Sequence, residues 1–384
     1  MASTTESSPD RDRRSHAGVT LPLTPDTVVA MSGGVDSSVA AQIVAHSGVR
    51  AAGLFMKNWD DDAAPGECPW EEDVADVLAV ADTLDLAVNT IDLTREYWDR
   101  VFEEFLAEYR RGRTPNPDIL CNREIKFRAF LDAARDLGAR TIATGHYART
   151  DCVDGRHRLL RGVDQGKDQT YFLYTLGQAQ LAHTVFPIGH LPKSEVRAQA
   201  RATGLPVAEK KDSTGICFIG ERHFRTFLSG YLPASEGEIR TLDERVIGTH
   251  PGALYYTLGQ RQGLAIGGVR GADEAPWFVA SKDVARNILY VVQGHDHPAL
   301  MSRALVADSL SWVAGTPPAQ GTRCTARTRY RQPDQACTVA DSAGGALVLE
   351  FDAPQRAVTP GQSVVLYVGD ECLGGGVIAR TTPV

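Results

Sequence analysis

The stretch Ser32-Gly33-Gly34-Val35-Asp36-Ser37-Ser38 decides the fold, because it stands between a β-like run at 27–31 and a helical pattern at 37–46. We call it the SGGVDSS loop. Its glycines allow a tight turn that directs backbone N–H groups at an anion, and its serines lie near a helix amino terminus, which favours phosphate. The simpler interpretation is a Gly-Ser turn with an N-cap serine, but strand, loop and helix together favour a phosphate site. The loop has neither a Gly-Lys-Ser/Thr ending nor a GxGxxG pattern, which disfavours a γ-phosphate P-loop and a dinucleotide site.

Strand and helix patterns alternate outward from this loop. β-like runs lie at 50–57, 87–93 and 141–148, and helical patterns lie at 71–84, 95–111 and 124–137. Such alternation predicts an α/β domain with a parallel sheet and helices on both faces. Ligands of such sheets bind beyond the carboxyl ends of the strands, where the SGGVDSS loop lies.

The pattern changes near residue 222, after which β-like runs dominate. Short runs separated by glycines predict a small, mostly-β central domain; they lie at 237–239, 245–247, 277–281 and 288–292. Alternating runs toward the end predict a closed or sandwich β-domain; they lie at 304–308, 323–328, 346–351, 363–368 and 376–380. We therefore expect four segments, namely a disordered tail at 1–24, an α/β domain at 25–222, a central domain at 223–297 and a β-domain at 298–384.

The composition excludes several classes of protein. The chain has 384 residues with 40 Lys and Arg against 48 Asp and Glu, a net charge of −8, which argues against a generally basic nucleic-acid coat but not against a local basic face. The sequence has no apolar run long enough to span a membrane. Seven cysteines, without a CxxC pair, argue against a disulfide framework and a zinc site, so we expect reduced thiols, a cytoplasmic location and no bound metal ion of that kind. The acidic residues of the tail argue against a transit peptide.

Cys121 stands in a setting that favours chemistry. It follows the loop Thr114-Pro115-Asn116-Pro117-Asp118-Ile119-Leu120. We expect Asn122 to cap the next helix, which would place Cys121 at a helix amino terminus near Arg123 and Lys126, where the pKa of a thiol falls. Asp118 could shuttle a proton. A buried cysteine beside a turn aspartate is the alternative, and the cationic setting favours chemistry over it.

Cys217 is the second candidate thiol. Lys210 and Lys211 precede it, and Gly215 and Gly220 flank it, which suits a segment on which a thiol can swing. A small core residue between two apolar neighbours is an equal reading of the same spacing, so both remain open from the residues alone.

A basic cluster near the end of the chain is the best candidate for a phosphate track. Arg327, Arg329 and Arg331 alternate around Tyr330. The period of two predicts that the three arginines share one face of a strand, where they could contact successive phosphates of a nucleic acid.

Several long motifs together carry a family resemblance. They are SGGVDSS at 32–38, GLFMKNW at 53–59, TPNPDILCN at 114–122, ATGHY at 143–147, KDQTYF at 167–172, STGICFIG at 213–220 and RYR at 329–331. With these motifs the chain, from about residue 26 to its end, resembles the tRNA-specific 2-thiouridylase family of the PP-loop ATP pyrophosphatase superfamily. The resemblance implies an α/β fold in which a parallel-sheet PP-loop domain of the adenine nucleotide alpha-hydrolase type precedes a small central tRNA-binding domain and a C-terminal β-barrel.

The resemblance also implies the site residues. The ATP-binding residues are Ala30, Met31, Ser32, Gly33, Gly34, Val35, Asp36, Ser37, Met56 and Gly145. The residues that meet the target uridine are Asn116, Pro117 and Asp118, with Asp118 as acid/base. The remaining tRNA contacts are His146, Lys167, Asp168, Gln169, Arg329, Tyr330 and Gln362. The chain has Ala30 where a glycine is common, which affects only a backbone contact.

The implied reaction is ATP-dependent 2-thiolation of the wobble uridine of tRNA. ATP adenylates the uridine oxygen with release of pyrophosphate, Asp36 helps to hold Mg²⁺, and AMP leaves when sulfur enters. Cys217 carries a persulfide from an upstream sulfur donor, and Cys121 releases the sulfur and ends in a disulfide with Cys217. Nothing in the sequence requires more than a monomer or suggests a membrane.

Three alternatives remain open. A PP-loop ligase that forms an amide from ammonia needs no pair of thiols. A tRNA-binding or sulfur-carrier module would retain the nucleotide site without catalysis. A third variant keeps the reaction but uses an iron–sulfur cluster held by Cys121, Cys217 and an oxygen ligand.

Overall fold

A computed structural model describes residues 24–59, 69–212, 224–266 and 274–384. The predicted tail, apart from Thr24, lies outside these ranges, and so do Cys68 and the candidate Cys217. None of the described helices combines the length and the apolar character that crossing a membrane requires.

Strands and helices alternate through the first two hundred residues. In chain order they are β1 (Thr27–Met31), α1 (Val35–Ala45), β2 (Ala51–Lys57), α2 (Pro69–Leu84), β3 (Val88–Asp92), α3 (Thr94–Tyr97), α4 (Glu103–Arg110), α5 (Pro117–Leu120), α6 (Phe130–Asp136), β4 (Thr141–Ala143), β5 (Ala148–Val153), β6 (Arg156–Arg161), α7 (Thr170–Leu173), α8 (Gln178–Leu181), β7 (Thr184–Val185) and α9 (Lys193–Thr203). Two π-helical segments, Trp98–Phe102 and Cys121–Ala129, join α3 to α4 and α5 to α6. The second of them makes one continuous helix of residues 117–136.

The core of this half is a parallel sheet in the order β3-β2-β1-β4-β7. Successive residues of β1 point to opposite faces, so Val28 packs with the aromatic side chains of the helix at 117–136 while Val29 packs with α1, α2 and α9. The predicted parallel sheet with helices on both faces is confirmed.

The single strand expected at 141–148 is wrong. β4 ends at Ala143 in the parallel sheet, and β5 begins at Ala148 in a different sheet. The connection at 144–147 turns away because Gly145 lies against the SGGVDSS loop, where a Cβ atom would stand 2.7 Å from the backbone nitrogen of Ser37.

The rest of the chain is mostly β-structure. Its elements are α10 (Phe224–Tyr231), β8 (Gly237–Thr241), β9 (Val246–His250), β10 (Trp277–Asp283), β11 (Ile288–Gln293), β12 (Met301–Trp312), β13 (Arg323–Arg327), β14 (Gln335–Asp341), β15 (Leu347–Arg356), β16 (Ser363–Val368) and β17 (Glu371–Pro383), with 3₁₀ turns at Ala253–Tyr255 and Pro298–Leu300. A four-stranded sheet has the order β10-β11-β8-β9, and β12 to β17 form a barrel that the β12–β17 pairing closes. The predicted mostly-β centre and C-terminal barrel are confirmed, and β14 is a barrel strand that the sequence reading missed.

The β5–β6 hairpin connects the two halves. β6 pairs with β17 of the barrel, with Leu159 opposite Cys372 and Leu160 opposite Glu371. The buried Arg161 forms an ion pair of 2.8 Å with Asp334 and lies over the ring of Tyr367. Residues of the α/β half therefore extend the sheet of the barrel.

Candidate active site

The SGGVDSS loop lies at the carboxyl end of β1. Gly33 has a φ of +71°, and a Cβ atom there would stand 2.7 Å from the carbonyl oxygen of Asp73, so the turn requires glycine. The Ser37 hydroxyl donates to the Gly34 carbonyl oxygen at 3.1 Å and accepts from the Ser32 backbone N–H at 3.2 Å. The N-cap of α1 is Gly34, which has no side chain with which to satisfy the first turn, so this helix end suits an anionic ligand.

The other candidate nucleotide residues surround this loop. Gly145 leaves no room for a side chain against the backbone of residues 36 and 37. Met56 is half-buried at the carboxyl end of the adjacent strand β2, and Ala30 and Met31 are buried at the end of β1. The structure thus brings together the residues for which ATP binding was expected, around one edge of the sheet.

Asp36 is held by two side chains that the sequence reading did not assign. The hydroxyl of Tyr147 donates to Oδ1 of Asp36 at 2.7 Å, and the ammonium of Lys193 lies 2.7 Å from the same oxygen. Lys193 starts α9, far from the loop in sequence. No local sequence pattern predicts the contact of Lys193 with Asp36. The local sequence indicates only that Lys193 follows Pro192 at the start of a helix.

Lys193 continues the network to Asp212. Its ammonium is 2.8 Å from Oδ1 of Asp212, which also pairs with Lys167 and Arg197. Burial opposes ionisation of Asp212, but the hydrogen bonds from Lys167 and Lys193 outweigh it and hold the pKa of this carboxyl well below its usual range. Asp212 therefore stays charged, five residues before the Cys217 of the sequence.

Asn116, not Asn122, caps the helix that carries Cys121. The Asn116 side chain accepts from the Asp118 backbone N–H at 3.1 Å, and Pro117 occupies the first helical position. The expected Asn122 cap is wrong, because the helix starts one turn earlier and Asn122 instead donates to the Phe172 carbonyl oxygen at 3.2 Å. Cys121 therefore lies in the second turn, beyond the strongest influence of the helix dipole.

Cys121 is 1% exposed and lies in the same buried cluster as Ala30 of β1. It opens the π-helical segment Cys121–Ala129, a local geometry that is frequent at functional sites. Further along the same segment, the ring of Phe127 lies 5.7 Å from the ring of His146, next to Gly145. One chain of contacts thus joins the Cys121 helix, the connection at 144–147 and the SGGVDSS loop.

The expected tRNA-binding residues make internal contacts. Lys167 pairs with Asp212, and the Gln169 side-chain oxygen accepts from the Tyr147 backbone N–H at 2.8 Å. Asp168 is 2% exposed and accepts from the Thr170 hydroxyl at 2.9 Å. Of these three residues, Gln169 holds the connection at 144–147 in place.

Two barrel residues approach the Asn116 loop and the central domain. Gln362 donates from its side-chain amide to the Thr114 carbonyl oxygen at 2.7 Å. Arg329 donates to the carbonyl oxygens of Leu258 and Ala357 at 2.9 and 2.6 Å, so its guanidinium joins the central domain to the barrel. Tyr330 packs with a ring distance of 4.4 Å against Phe172, which follows the KDQ motif.

The expected strand with three aligned arginines is wrong. β13 ends at Arg327, and Arg331 has a φ of +64° in the following turn. Arg327 is buried against Asp334 and Asp168, with nitrogen–oxygen distances of 2.7 and 3.3 Å. The charge of Arg327 is therefore balanced by these two carboxylates inside the protein, and Arg327, Arg329 and Arg331 do not form a track on one strand face.

His146 predicts a specific loss of stability in acid. Burial, assisted by the charge of Lys126, holds the pKa of His146 well below its ordinary value of 6.5. The folded state keeps the ring neutral while the unfolded chain takes up a proton, so stability falls as the pH decreases below about 6.5, by about 1.4 kcal/mol per pH unit. Thermal unfolding between pH 7.5 and 5.5 should show a weaker pH dependence for His146→Gln than for the wild type.

The exposed His295, replaced by glutamine, serves as the matched control for that measurement. Equal pH dependence of the wild type and His146→Gln would contradict a buried, neutral imidazole at this position.

Comparison with known proteins identifies the family of the chain. Residues 26–221 match the family described as "tRNA methyl transferase HUP domain", residues 225–293 match "tRNA methyl transferase PRC-barrel domain" and residues 302–378 match "Aminomethyltransferase beta-barrel domain". The protein named tRNA-specific 2-thiouridylase MnmA of Xanthomonas campestris pv. campestris is 60% identical over 358 residues, 93% of this chain and 94% of that one. Its namesake from Ralstonia pickettii is 58% identical over 356 residues, 93% and 96% of the two chains.

Among solved structures the likeness is low. A 4-thiouridine synthetase–RNA complex with bound ATP aligns with a TM-score of 0.33 and 20% identity, over 54% of this chain and 49% of that one. The family assignment thus depends on the sequence relatives, which span nearly the whole chain at about 60% identity. The chain belongs to the tRNA-specific 2-thiouridylase family.

Proposed function

We propose that this protein is a tRNA-uridine 2-sulfurtransferase, which replaces the 2-oxygen of the wobble uridine by sulfur at the expense of ATP. The observation that carries the proposal is the packing of Gly145 against the SGGVDSS loop, while the next residue, His146, contacts Phe127 of the helix that bears Cys121. A nucleotide site and a thiol on adjoining elements fit a reaction in which an activated carbonyl meets sulfur.

The SGGVDSS loop fits a bound nucleotide. Gly33 and Gly145 leave a backbone surface free of side chains, so phosphate oxygens can approach the N–H groups of the loop. Among the described residues, both contacts to Asp36 fall on Oδ1, which leaves Oδ2 as a ligand of the kind that Mg²⁺ prefers. Asp36 would hold the Mg²⁺ that accompanies ATP, and the ion would supply charge neutralisation.

The two thiols then divide the sulfur transfer between them. A uridine carbonyl oxygen is a poor leaving group, and adenylation makes it leave as AMP when the terminal sulfur of a Cys217 persulfide attacks carbon 2. The Cys121 thiolate attacks the remaining Cys217 sulfur, which breaks the S–S bond, leaves sulfur on the base and forms a Cys121–Cys217 disulfide. Two electrons from a thiol reductant restore the dithiol before the next persulfide arrives.

We assign the other residues to substrate binding. Asn116 and Pro117 face the uridine, and Asp118 transfers the proton. The proposed tRNA contacts are His146, Lys167, Asp168, Gln169, Arg329, Tyr330 and Gln362. Three of them, Gln169, Arg329 and Gln362, also form hydrogen bonds with backbone groups of the protein. A persulfide-carrying protein supplies the sulfur. We propose that the enzyme is a cytoplasmic monomer. Its domain boundaries lie at about residues 222 and 297.

Mass spectrometry of the wobble nucleoside tests the proposal. After incubation with unmodified tRNA, ATP and a persulfide source, we expect sulfur in place of oxygen together with AMP and pyrophosphate. A methylated nucleoside, as the "methyl transferase" description of the matching families would suggest, or no change in the nucleoside, would overturn it. Incorporation of labelled ammonia would favour the amide-forming ligase, pyrophosphate release without tRNA modification would favour a carrier, and iron after anaerobic purification would favour the cluster variant.

A further inference from the structure

The SGGVDSS loop has no basic residue of its own, although its expected ligand is a triphosphate. Its one charged residue is Asp36, and Asp73 contacts it at Gly33. Carboxylates repel a polyphosphate, so the site needs a cation from another part of the chain.

Lys193 supplies a cation at this place. Its ammonium lies between Oδ1 of Asp36 at 2.7 Å and Oδ1 of Asp212 at 2.8 Å, and its side chain is 12% exposed. The Lys193 backbone N–H donates to Oδ2 of Asp164 at 2.9 Å, which fixes the start of α9. The ammonium is therefore held at the loop by two carboxylates from separate segments, and a third carboxylate, that of Asp164, holds the backbone from which the side chain extends.

Neighbouring cations are engaged elsewhere. Lys167 and Arg197 pair with Asp212, and Lys210 pairs with Asp73 at 2.9 Å and with Asp76. Among the ion pairs of the described residues, the one that reaches a side chain of the SGGVDSS loop comes from Lys193.

We propose that Lys193 is the phosphate-binding cation of this enzyme, and that it also orients Asp36. An ammonium has three donors. Two of them are directed at Asp36 and Asp212, and within the described part of the chain no hydrogen bond occupies the third, which can donate to a phosphate oxygen of ATP. Because Lys193 and Tyr147 both hold Oδ1 of Asp36, they fix the direction of Oδ2, as outer partners do for metal-binding carboxylates. This inference rests on the proposed function only in taking ATP as the substrate.

Equilibrium ATP binding, measured calorimetrically without tRNA, tests the proposal. We expect Lys193→Met to weaken binding at least about tenfold, both with Mg²⁺ and with EDTA, because a charge-assisted hydrogen bond to phosphate is lost. Lys193→Arg should restore most of the affinity. The matched control is Arg201→Met on the same helix, since Arg201 is exposed and pairs with Glu209; its affinity should equal that of the wild type.

An unchanged ATP affinity of folded Lys193→Met would overturn the proposal. If that variant does not fold, Asp212→Asn decides: it frees the ammonium from one carboxylate and should bind ATP at least as tightly as the wild type, and weaker binding would contradict the inference. A wild type that binds ATP but does not thiolate tRNA would refute the proposed function and leave the role of Lys193 intact.

Discussion

Replacing Cys121 by serine will lower the rate of wobble thiolation by roughly a thousandfold or more, while ATP binding and tRNA binding persist. A serine hydroxyl is close to a thiol in size, but it is not ionised at neutral pH and does not displace one sulfur from another. With Cys121→Ser the persulfide sulfur would reach carbon 2 and stay bonded to Cys217. Single-turnover assays with persulfide-loaded enzyme, read by the mass of the nucleoside, measure the loss. Cys217→Ser should show the same loss without any trapped intermediate.

Cys372→Ser is the matched control for this experiment. Cys372 belongs to the same buried cluster as Cys121, and burial raises the pKa of its thiol to about 12. Its replacement therefore carries a similar cost of burying a hydroxyl group, and it should lower the melting temperature without loss of thiolation. Full turnover by Cys121→Ser would refute the two-thiol scheme.

Gly145→Ala will weaken the affinity for ATP by about a hundredfold or more. Its Cβ atom would stand 2.7 Å from the Ser37 nitrogen and 2.8 Å from the Asp36 carbonyl carbon, and both of these are backbone atoms that cannot swing aside. The SGGVDSS loop or the connection at 144–147 must move, and the alignment of N–H groups that a phosphate site needs is lost. ATP titration of the purified variant, with thermal unfolding to show that it is folded, gives the result.

Gly230→Ala provides the control for Gly145→Ala. A Cβ atom at Gly230 has no described neighbour within 4 Å, and this residue lies in the helix α10. Alanine there should leave ATP binding unchanged and stabilise the fold by up to about 1 kcal/mol. If Gly145→Ala, folded, bound ATP like this control, the nucleotide would have to lie elsewhere.

The parallel sheet could be predicted because its strands and helices have different periods and follow each other regularly. The strand expected at 141–148 failed because it is the tertiary contact of Gly145 with Ser37 that shows that the chain must leave the sheet there. The missed strand β14 carries Cys337 and Val339 among polar residues and alanines, and it directly follows a turn with Pro333, so its own sequence gives a weak strand signal.

The local parts of the candidate site could also be predicted, since loop, helix start and motif are contiguous in sequence. The contacts of Lys193 and Tyr147 with Asp36 could not, because they join residues 157 and 111 positions apart. The prediction that Arg327 contacts phosphates on a strand face is wrong for the same reason. Its partners Asp168 and Asp334 come from other segments, and the period of a sequence does not predict buried counter-charges.

The β5–β6 hairpin gives the molecule an unusual modular boundary. Its second strand, β6, continues the barrel sheet through Leu159 and Leu160, while β5 starts directly after Tyr147, which holds Asp36. A chimera that exchanges only the last ninety or so residues would replace β17 but keep β6, so the native pairing of these two strands would be lost. The sheet edge left unpaired is prone to mispairing. We therefore expect chimeras between relatives to fold when residues 148–161 and the barrel come from the same parent.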